Sequence, residues 1–415
     1  MSERMSASHI DNRVLPDPFF GASNACVAAI KNLGKKSIVN ATLGAVYDED
    51  ENLVCLPTVE RLFRSLKVPD FAAYAPISGT PDYLATVEQA VFADNRPEAN
   101  IAVVATPGGS GAIRNSIFCY SERNDAILTH DWFWGPYRTM ADNNERRFET
   151  FEFFNEAHGF NAVDFDIKVN QLIDKQDSLL IIINSPGHNP VGYSLTDSEW
   201  DVVIDSITTA QRRTDKKITL VADIAYIDFA GERNKVRAFM RKFGGLSKKI
   251  LILIAFSMSK SFTLYGQRCG ALVGVSSSAA AIEEFKTINE RAARAAWSNC
   301  NRGAMQILVD VYKDQTLFAN TEFERKQYID MITARTQLFE TEAQICQLEY
   351  LPYRAGFFIT IPAKNPQAVW QELANDNIFG VALEKGVRLA ICGVPVHKIY
   401  GVAAKTKSAI SKHGG

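Results

Sequence analysis

Short, continuously apolar runs alternate with longer amphipathic stretches through the middle of the chain. Runs such as SLLIIIN and ITLVAD are apolar at successive positions, whereas a strand with one wet face would alternate apolar and polar residues. Strands that are covered on both faces are typical of a mostly parallel sheet with crossover helices. The pattern therefore predicts an α/β fold. The predicted strands are 101–106, 126–130, 178–184, 218–223, 248–257 and 270–275.

The regions between and after these runs have helical character. The stretch 196–214 begins with Thr196 and Glu199 in the spacing of a capping box. A long charged stretch around 321–343 also predicts a helix, and the runs 356–362 and 386–392 predict two more strands.

These elements suggest two domains, because the chain exceeds the length that one hydrophobic core usually serves. We expect a large domain over 51–310 and a smaller α+β domain over 311–415. The segment 1–50 is irregular and could pack on either domain by its pattern alone. We assign it to the smaller one.

Composition narrows the class of protein. The 415 residues are 47% hydrophobic and 22% charged with a net charge of −2, as in an average soluble globular protein. Lys and Arg are scattered and the pI is near 6.3, which disfavours a nucleic-acid partner. The N-terminus lacks the apolar core of a signal peptide, no run is long enough to span a membrane, and seven scattered cysteines fit a reducing compartment. We expect a cytoplasmic protein.

Polar residues follow the predicted strands, where α/β sheets bind ligands. The turn PGGSGAIRNS after 101–106 contains Gly109 and Ser110 and could hold an anion at a helix N-terminus, although it is neither a Walker A loop nor G-x-G-x-x-G. A plain strand-to-helix turn is an equal alternative. The segment SPGHNPVG would deliver Asn189 to a strand end, but alone it indicates only a loop.

Two further strands end in chemically distinctive groups. Asp223 follows a very apolar strand, where a carboxylate needs a cation or a strong donor, and Tyr226 comes three residues later. The next strand leads into SMSKSFTLYGQRCG, which contains Ser257, Lys260 and Arg268. Pyridoxal 5′-phosphate needs groups of these kinds together. It needs a lysine to bind its aldehyde, a carboxylate to pair with its ring nitrogen, a phenol, and a cup for its phosphate.

These motifs, in this order, resemble the fold-type-I aminotransferases, and within them the aspartate and aromatic aminotransferases, over nearly the whole chain. The resemblance implies that Lys260 forms the internal aldimine with pyridoxal phosphate and later moves a proton between the substrate and the cofactor. It implies that Asp223 pairs with the pyridine nitrogen and that Tyr226 donates to the ring oxygen.

The resemblance also assigns the rest of the site. Gly109, Ser110, Ser257 and Arg268 would bind the phosphate, and Tyr74 would reach the phosphate of the neighbouring subunit, which implies a homodimer with shared active sites. In THDWFWGPYRTM the family spacing selects Trp134 as the aromatic that stacks on the cofactor ring, with Tyr137 three residues after it.

Substrate contacts follow in the same way. Arg388 in GVRLAICG would bind the α-carboxylate, flanked by Gly44 and Asn189. Arg294 in RAAWSN would come from the partner subunit to bind the distal carboxylate of aspartate or glutamate. Two other arginines compete for that role, and a helix-surface position is the alternative for all three. The competing residues are Arg291 and Arg302.

The chain departs from the family pattern at two places. Val191 stands where Thr is usual, and CNRGA after WSN is shorter and lacks the usual prolines. The second departure lies near the expected substrate entrance, so it bears on the choice of substrate more than on the cofactor.

The resemblance thus implies transamination of aspartate, glutamate or an aromatic amino acid with a 2-oxo acid, expected to be 2-oxoglutarate. A lyase or decarboxylase on the same fold is the alternative, because a fold does not choose which bond breaks. A non-catalytic relative would be expected to lack Lys260 or Asp223, and both are present.

Overall fold

The computed structural model describes residues 5–7 and 18–413, and it shows an α/β fold built on one large sheet. The strands are β1 Val39–Asn40, β2 Asn100–Thr106, β3 Ala126–His130, β4 Arg147–Phe151, β5 Ser178–Asn184, β6 Lys217–Asp223, β7 Ile250–Ser257, β8 Gly270–Ser276, β9 Phe358–Pro362, β10 Ile378–Phe379, β11 Val381–Ala382 and β12 Gly386–Ala390. The α-helices are α1 Pro18–Leu33, α2 Pro57–Ser65, α3 Val68–Ala72, α4 Pro81–Phe92, α5 Gly108–Tyr120, α6 Pro136–Asn143, α7 Ala162–Lys175, α8 Asp197–Thr214, α9 Met258–Ser261, α10 Ala279–Ala296, α11 Arg302–Lys313, α12 Gln315–Ile345, α13 Pro366–Asn375, α14 Val396–Ile399 and α15 Val402–Lys412.

The large sheet has seven strands in the order β2-β8-β7-β6-β5-β3-β4. The strands β4, β3, β5, β6 and β7 run parallel, and β8 is antiparallel to both of its neighbours. The expectation of a mostly parallel sheet flanked by helices is confirmed. All six apolar runs form strands, within about two residues of the expected bounds.

Both faces of this sheet are buried, which explains the continuous hydrophobicity. Along β5, Ile181 and Ile183 join one core cluster, whereas Leu180 and Ile182 join another on the opposite face. The first cluster packs against helices such as α8, whose capping box forms as expected, with Thr196 accepting from the Glu199 N–H. The alternation of clusters along one strand fixes which residues face each layer.

A smaller unit lies beside the large sheet. Its antiparallel sheet has the order β11-β12-β9, and the expected strands 356–362 and 386–392 correspond to β9 and β12. β1 pairs in parallel with β10, so Val39 lies opposite Ile378. Residues 39–40 of the N-terminal segment therefore pair with the C-terminal part, and the fold class is confirmed. The exact division at residues 50 and 310 stays a prediction.

The long helix exceeds its predicted range. α12 begins at Gln315, where the Asp314 side chain caps the N–H groups of Thr316 and Leu317. It continues to Ile345 and contacts α2 and α11 as well as α14 and α15. One helix thus touches elements near both sheets. No helix among residues 18–413 is long and apolar enough to cross a membrane.

Candidate active site

A cavity of roughly 240 Å³ opens where the strands of the large sheet end. The ends of β6 and β7 deliver Asp223 and Ser257, and the turn into α5 delivers Gly109 and Ser110. Most of the residues that the sequence singled out line this cavity. They are Gly44, Gly109, Ser110, Trp134, Asn189, Asp223, Tyr226, Ser257, Lys260, Arg268 and Arg388.

Lys260 lies on the short helix α9, directly after β7. The Ser257 hydroxyl caps this helix by accepting from the Ser259 N–H at 3.2 Å. The Lys260 amine donates to the Gly44 carbonyl and lies 4.9 Å from the centre of the Tyr265 ring. Burial lowers the pKa of Lys260 to about 8, and the positive charges of Arg388 and Arg268 act in the same direction. A neutral amine is therefore available near physiological pH.

Asp223 lies at the floor of the cavity. Burial raises the pKa of this carboxyl group, while hydrogen bonds from Tyr137 and Ala225 oppose that rise. The Tyr137 hydroxyl donates to Asp223 Oδ2 at 2.5 Å, and the Ala225 N–H donates to Oδ1 at 3.1 Å. Trp134 lies edge-on to Tyr137, with ring centres 5.4 Å apart. The carboxylate is thus held by fixed donors and faces the cavity.

The glycine turn, two serines and Arg268 face one another at one end of the cavity. Arg268 Nη1 donates to the Ser259 hydroxyl and to the Tyr265 carbonyl, both at 2.9 Å. A Cβ at Gly108, where φ is +69°, would lie only 2.6 Å from Arg268 Nη2. The backbone can approach the guanidinium this closely because Gly108 has no side chain. With the N–H groups of α5, this arrangement forms a cup for an anion.

Arg388 lies at the other end, on β12. Its Nη1 donates to Asn189 Oδ1 at 3.1 Å and its Nη2 to the Thr42 carbonyl at 2.7 Å. Asn189 also donates to the Tyr226 hydroxyl, at 3.3 Å. Burial lowers the pKa of Arg388 to about 10, a value at which the guanidinium remains charged at neutral pH. A buried cation with an adjacent amide suits a small carboxylate.

Gly44 closes this end of the cavity because a larger residue would not fit. A Cβ there would lie 2.4 Å from Phe358 Cζ, and the Phe358 ring itself packs against Arg388 at 4.3 Å. The loop that contains Gly44 is therefore in close contact with β9, the strand that pairs with β12.

Two predicted site residues lie away from this cavity. The Tyr74 side chain is 88% exposed, and Arg294 is exposed on the last turn of α10, where it donates to the Ser298 hydroxyl. Arg291 is also exposed, and Arg302 donates to the Tyr74 carbonyl at 3.2 Å. Within its own chain, none of these side chains is among the residues that line the cavity.

Some lining residues were not predicted. Ser259 lies within the lysine segment, where its sequence fits local packing as well as a site role, and its hydroxyl accepts from Arg268. Tyr265 belongs to the same segment, and Asn184 ends a predicted strand, so the sequence positions of both indicated a place near the site. Leu43 and Phe358 had none. The unpredicted residues are Leu43, Asn184, Ala225, Ser259, Tyr265 and Phe358.

The residues present fit pyridoxal phosphate. The anion cup, the buried acid and the lysine of lowered pKa occupy one cavity, and Gly108 leaves space beside Arg268 that a Cβ would fill. Among residues 18–413, no group of three or more His, Cys, Asp or Glu side chains could hold a metal ion.

The fold and this cavity define an α/β protein with a lysine of lowered pKa just after a central strand. The chain belongs to the class I and II aminotransferase family, whose family model matches residues 38–400. The protein is therefore a transferase of amino groups between amino acids and oxo acids, and its family depends on pyridoxal phosphate.

Similar proteins share this family. An aminotransferase structure from Anaerococcus prevotii is 38% identical, with a TM-score of 0.96 over 98% of this chain and 99% of that chain. The aromatic-amino-acid aminotransferase of Escherichia coli (strain K12) is 23% identical over 376 residues, which are 88% of this chain and 91% of that protein. The aspartate aminotransferase of the same organism is 23% identical over 334 residues, with 79% and 81% covered.

An aromatic-amino-acid aminotransferase from Burkholderia pseudomallei has the same fold, with a TM-score of 0.80 at 20% identity over 98% of this chain and 100% of that chain. That structure is described as covalently bound to pyridoxal phosphate.

Proposed function

We propose that this aminotransferase binds pyridoxal phosphate at Lys260 and transfers the amino group of aspartate, glutamate or an aromatic amino acid to 2-oxoglutarate. The observation that carries the proposal is the convergence of four groups in one cavity: a lysine of lowered pKa, a buried carboxylate, an anion cup and a buried arginine. Few other ligands would need all four together.

The chain's own residues would hold the cofactor at three points. Lys260 would bind its aldehyde carbon, Asp223 would keep its ring nitrogen protonated, and the cup around Arg268 would bind its phosphate. Bound pyridoxal phosphate supplies an electron sink for the negative charge that forms at the substrate α-carbon. Trp134 lines the same cavity and would pack on the ring.

Proton transfer falls to Lys260. Its amine is about half neutral near pH 8 and could take a proton from the substrate α-carbon and return it elsewhere. Tyr226 is held by Asn189 at 3.3 Å, and burial raises the pKa of this phenol, so it stays a donor. A fixed donor at the ring oxygen would keep the reacting carbon next to Lys260.

The substrate carboxylate would bind at Arg388. The guanidinium is buried and already oriented by Asn189 and the Thr42 carbonyl, so its geometry is fixed before the substrate arrives. Gly44 would flank the same carboxylate. This end of the site recognises what all amino acids share, and therefore specificity must arise elsewhere.

A partner subunit would supply the rest. Tyr74 and Arg294 are exposed, and α3 packs beside Arg302 at the start of α11, where a Cβ at Gly303 would lie 3.3 Å from Phe71 Cβ. Val68 and Phe71 are 66% and 54% exposed, which gives this face an apolar patch. A homodimer in which Tyr74 reaches the partner's phosphate and Arg294 its substrate would cover the patch.

Scattered unpaired cysteines support a cytoplasmic location.

A screen of amino donors against 2-oxoglutarate tests the proposal, with glutamate formation as the readout. We expect activity with aspartate or aromatic donors and a yellow protein, and Lys260→Ala should lose both the colour and the turnover. Release of ammonia or carbon dioxide without glutamate would instead show a lyase or a decarboxylase. Full activity of Lys260→Ala would overturn the assignment of the lysine.

Arg294→Asp tests the choice of substrate in the same screen. It should lower turnover of dicarboxylates at least about tenfold more than that of aromatic donors, because it would replace a cation by a like charge at the distal carboxylate. Arg291→Asp, on the same helix, tests the competing arginine, and a selective loss of dicarboxylate turnover in that variant alone would give the role to Arg291. Equal losses on both substrate classes would reject the role of Arg294.

A further inference from the structure

A buried arginine lies behind the carboxylate end of the cavity. Arg335 is on α12, its side chain is 0% exposed, and it contacts two separate segments of the chain. Its Nη1 donates to the Cys392 carbonyl at 2.7 Å, and its Nη2 donates to the Tyr47 carbonyl at 2.9 Å. Its Nε and Nη2 both donate to Glu49 Oε1, at 3.0 and 2.7 Å.

These contacts hold the loop that contains Gly44, which we define as residues 41–49. On the cavity side, Arg388 binds the Thr42 carbonyl, Lys260 binds the Gly44 carbonyl, and the Tyr265 hydroxyl accepts from the Val46 N–H at 2.9 Å. From α12, Arg335 binds the Tyr47 carbonyl and the Glu49 carboxylate of the same loop. The loop is thus fixed between the cavity residues and α12.

Arg335 also joins this loop to the end of β12. The Cys392 carbonyl accepts both from Arg335 and from the Tyr47 N–H at 3.3 Å, and the Cys392 thiol donates to the Ala45 carbonyl at 3.3 Å. Cys392 follows Arg388 by four residues. The two segments that would frame the substrate carboxylate are therefore tied together at one guanidinium.

We propose that Arg335, together with Glu49, is a positioning residue that sets the geometry of the α-carboxylate site. The inference rests on the proposed function, because it assigns the carboxylate of the amino or oxo acid to Arg388. A buried guanidinium is costly unless its donors are satisfied, and here they are satisfied by groups of the loop and of the β12 end. A lysine would keep the charge but could not reproduce the planar fork.

Glu49 completes the arrangement. Its Oε2 accepts from the Val396 N–H at 2.8 Å, so the same carboxylate connects the loop, Arg335 and the start of α14. The Glu49 side chain is 46% exposed, and Glu49→Gln should therefore fold even if an Arg335 variant does not.

The experiment compares Arg335→Lys and Glu49→Gln with Arg146→Lys in the holoenzyme. Arg146 is also buried and binds backbone carbonyls, but at the end of α5, away from the cavity. In Arg335→Lys we expect KM to rise about tenfold for amino donors of every side chain and for the oxo acid, because all of them share the carboxylate. We expect kcat and the affinity for pyridoxal phosphate to stay within about twofold. Glu49→Gln should change KM in the same direction.

Hydrogen–deuterium exchange gives a second readout that does not depend on activity. Amides of residues 41–49 should exchange faster in Arg335→Lys and in Glu49→Gln, and should be unchanged in Arg146→Lys. An Arg335→Lys enzyme with unchanged KM and unchanged exchange would overturn the proposal, as would the same result in Glu49→Gln if Arg335→Lys does not fold.

The two proposals fail differently. A wild-type protein that is inactive with every donor would overturn the proposed function, and the exchange of residues 41–49 would still decide whether Arg335 holds the loop. A wild type that is active with an Arg335→Lys enzyme of unaltered KM and unaltered exchange would overturn the positioning role alone.

Discussion

At the scale of single residues, the proposed role of Lys260 predicts how the capture of pyridoxal phosphate depends on pH. Protonated amine cannot attack an aldehyde, so the capture rate should rise with pH until the amine is neutral. Because the pKa of Lys260 is lowered to about 8, the rate should level off above that pH, whereas an ordinary lysine would continue to gain up to about 10.5. Visible absorbance after mixing apoprotein with pyridoxal phosphate measures the rate. Butylamine with the same cofactor corrects for the cofactor's own titration, and a midpoint near 10 would contradict the expectation.

Tyr137 is a second residue whose effect can be isolated. Tyr137→Phe removes the 2.5 Å hydrogen bond to the Asp223 carboxylate and should lower the free energy of unfolding of the apoprotein by about 2 kcal/mol at pH 7. The loss should shrink at acidic pH, because a protonated Asp223 no longer needs a donor. Chemical denaturation at several pH values measures it.

The matched control is Tyr83→Phe, in which the lost hydroxyl donates to the neutral Gly270 carbonyl at 2.8 Å. That variant should cost about 1 kcal/mol with no such pH dependence. Parallel pH profiles for the two variants would show that the Tyr137 bond carries no charge-dependent energy.

Sequence reasoning found residues that carry reactive or charged groups, and it missed those that act through shape or through another residue. Lys260, Asp223 and Arg388 follow apolar runs or lie within them, so their polarity is conspicuous. Tyr137 was noticed only for its spacing from Trp134, since nothing in the sequence shows that its hydroxyl reaches Asp223. Phe358 looks like any core residue, although it sets the size of the cavity at Gly44.

At the scale of elements, two histidines link the end of β3 to the loop between β5 and α8. The rings of His130 and His188 are 4.3 Å apart and fully buried. Burial lowers the pKa of His130 to about 4, with Asp131 opposing the effect, and it also lowers the pKa of His188. Below about pH 6.5 the histidines bind protons in the unfolded chain but stay neutral in the folded protein. The free energy of unfolding therefore falls as the pH drops from 6.5 toward 4.

His130→Leu should reduce this loss of unfolding free energy at acidic pH. Between pH 6.5 and pH 4, the titration of His130 alone lowers the free energy of unfolding by about 3 kcal/mol. Removal of the imidazole removes that part of the pH dependence. Unfolding free energies across this range, with the exposed His397→Gln as control, provide the measurement. A variant with the same slope as the wild type would show that His130 does not titrate on unfolding.

The elements that sequence reasoning missed are those without a continuous apolar run. β4 reads RFETF and lies at the edge of the sheet, where all of its residues except Phe151 are at least partly exposed, so its pattern is weak. β1 has only two residues, and its pairing with β10 depends on contacts that no local window contains. The central strands were predictable because burial on both faces leaves a composition that no other element shares.

At the scale of the whole molecule, the proposed dimer with shared active sites predicts complementation between two inactive variants. Lys260→Ala lacks its own lysine but would still lend Tyr74 and Arg294 to a partner. The double variant Tyr74→Ala, Arg294→Asp keeps the lysine but supplies neither Tyr74 nor Arg294 to the active site of its partner. After co-expression in equal amounts, half of the dimers should be mixed with one intact site each, which gives about a quarter of wild-type activity. Turnover of the mixture, compared with each variant alone, measures it, and a mixture no more active than its parts would contradict shared sites.

The pairing of β1 with β10 has a consequence for the order of events during synthesis. Val39 and Asn40 are made early, but their partners Ile378 and Phe379 follow roughly 340 residues later. Gly44 and Arg388 lie on the same two distant segments. The end of the cavity proposed for the cofactor is built from residues 108–268, so it can form before synthesis is complete. The end proposed for the substrate carboxylate can form only after the last strands have been made.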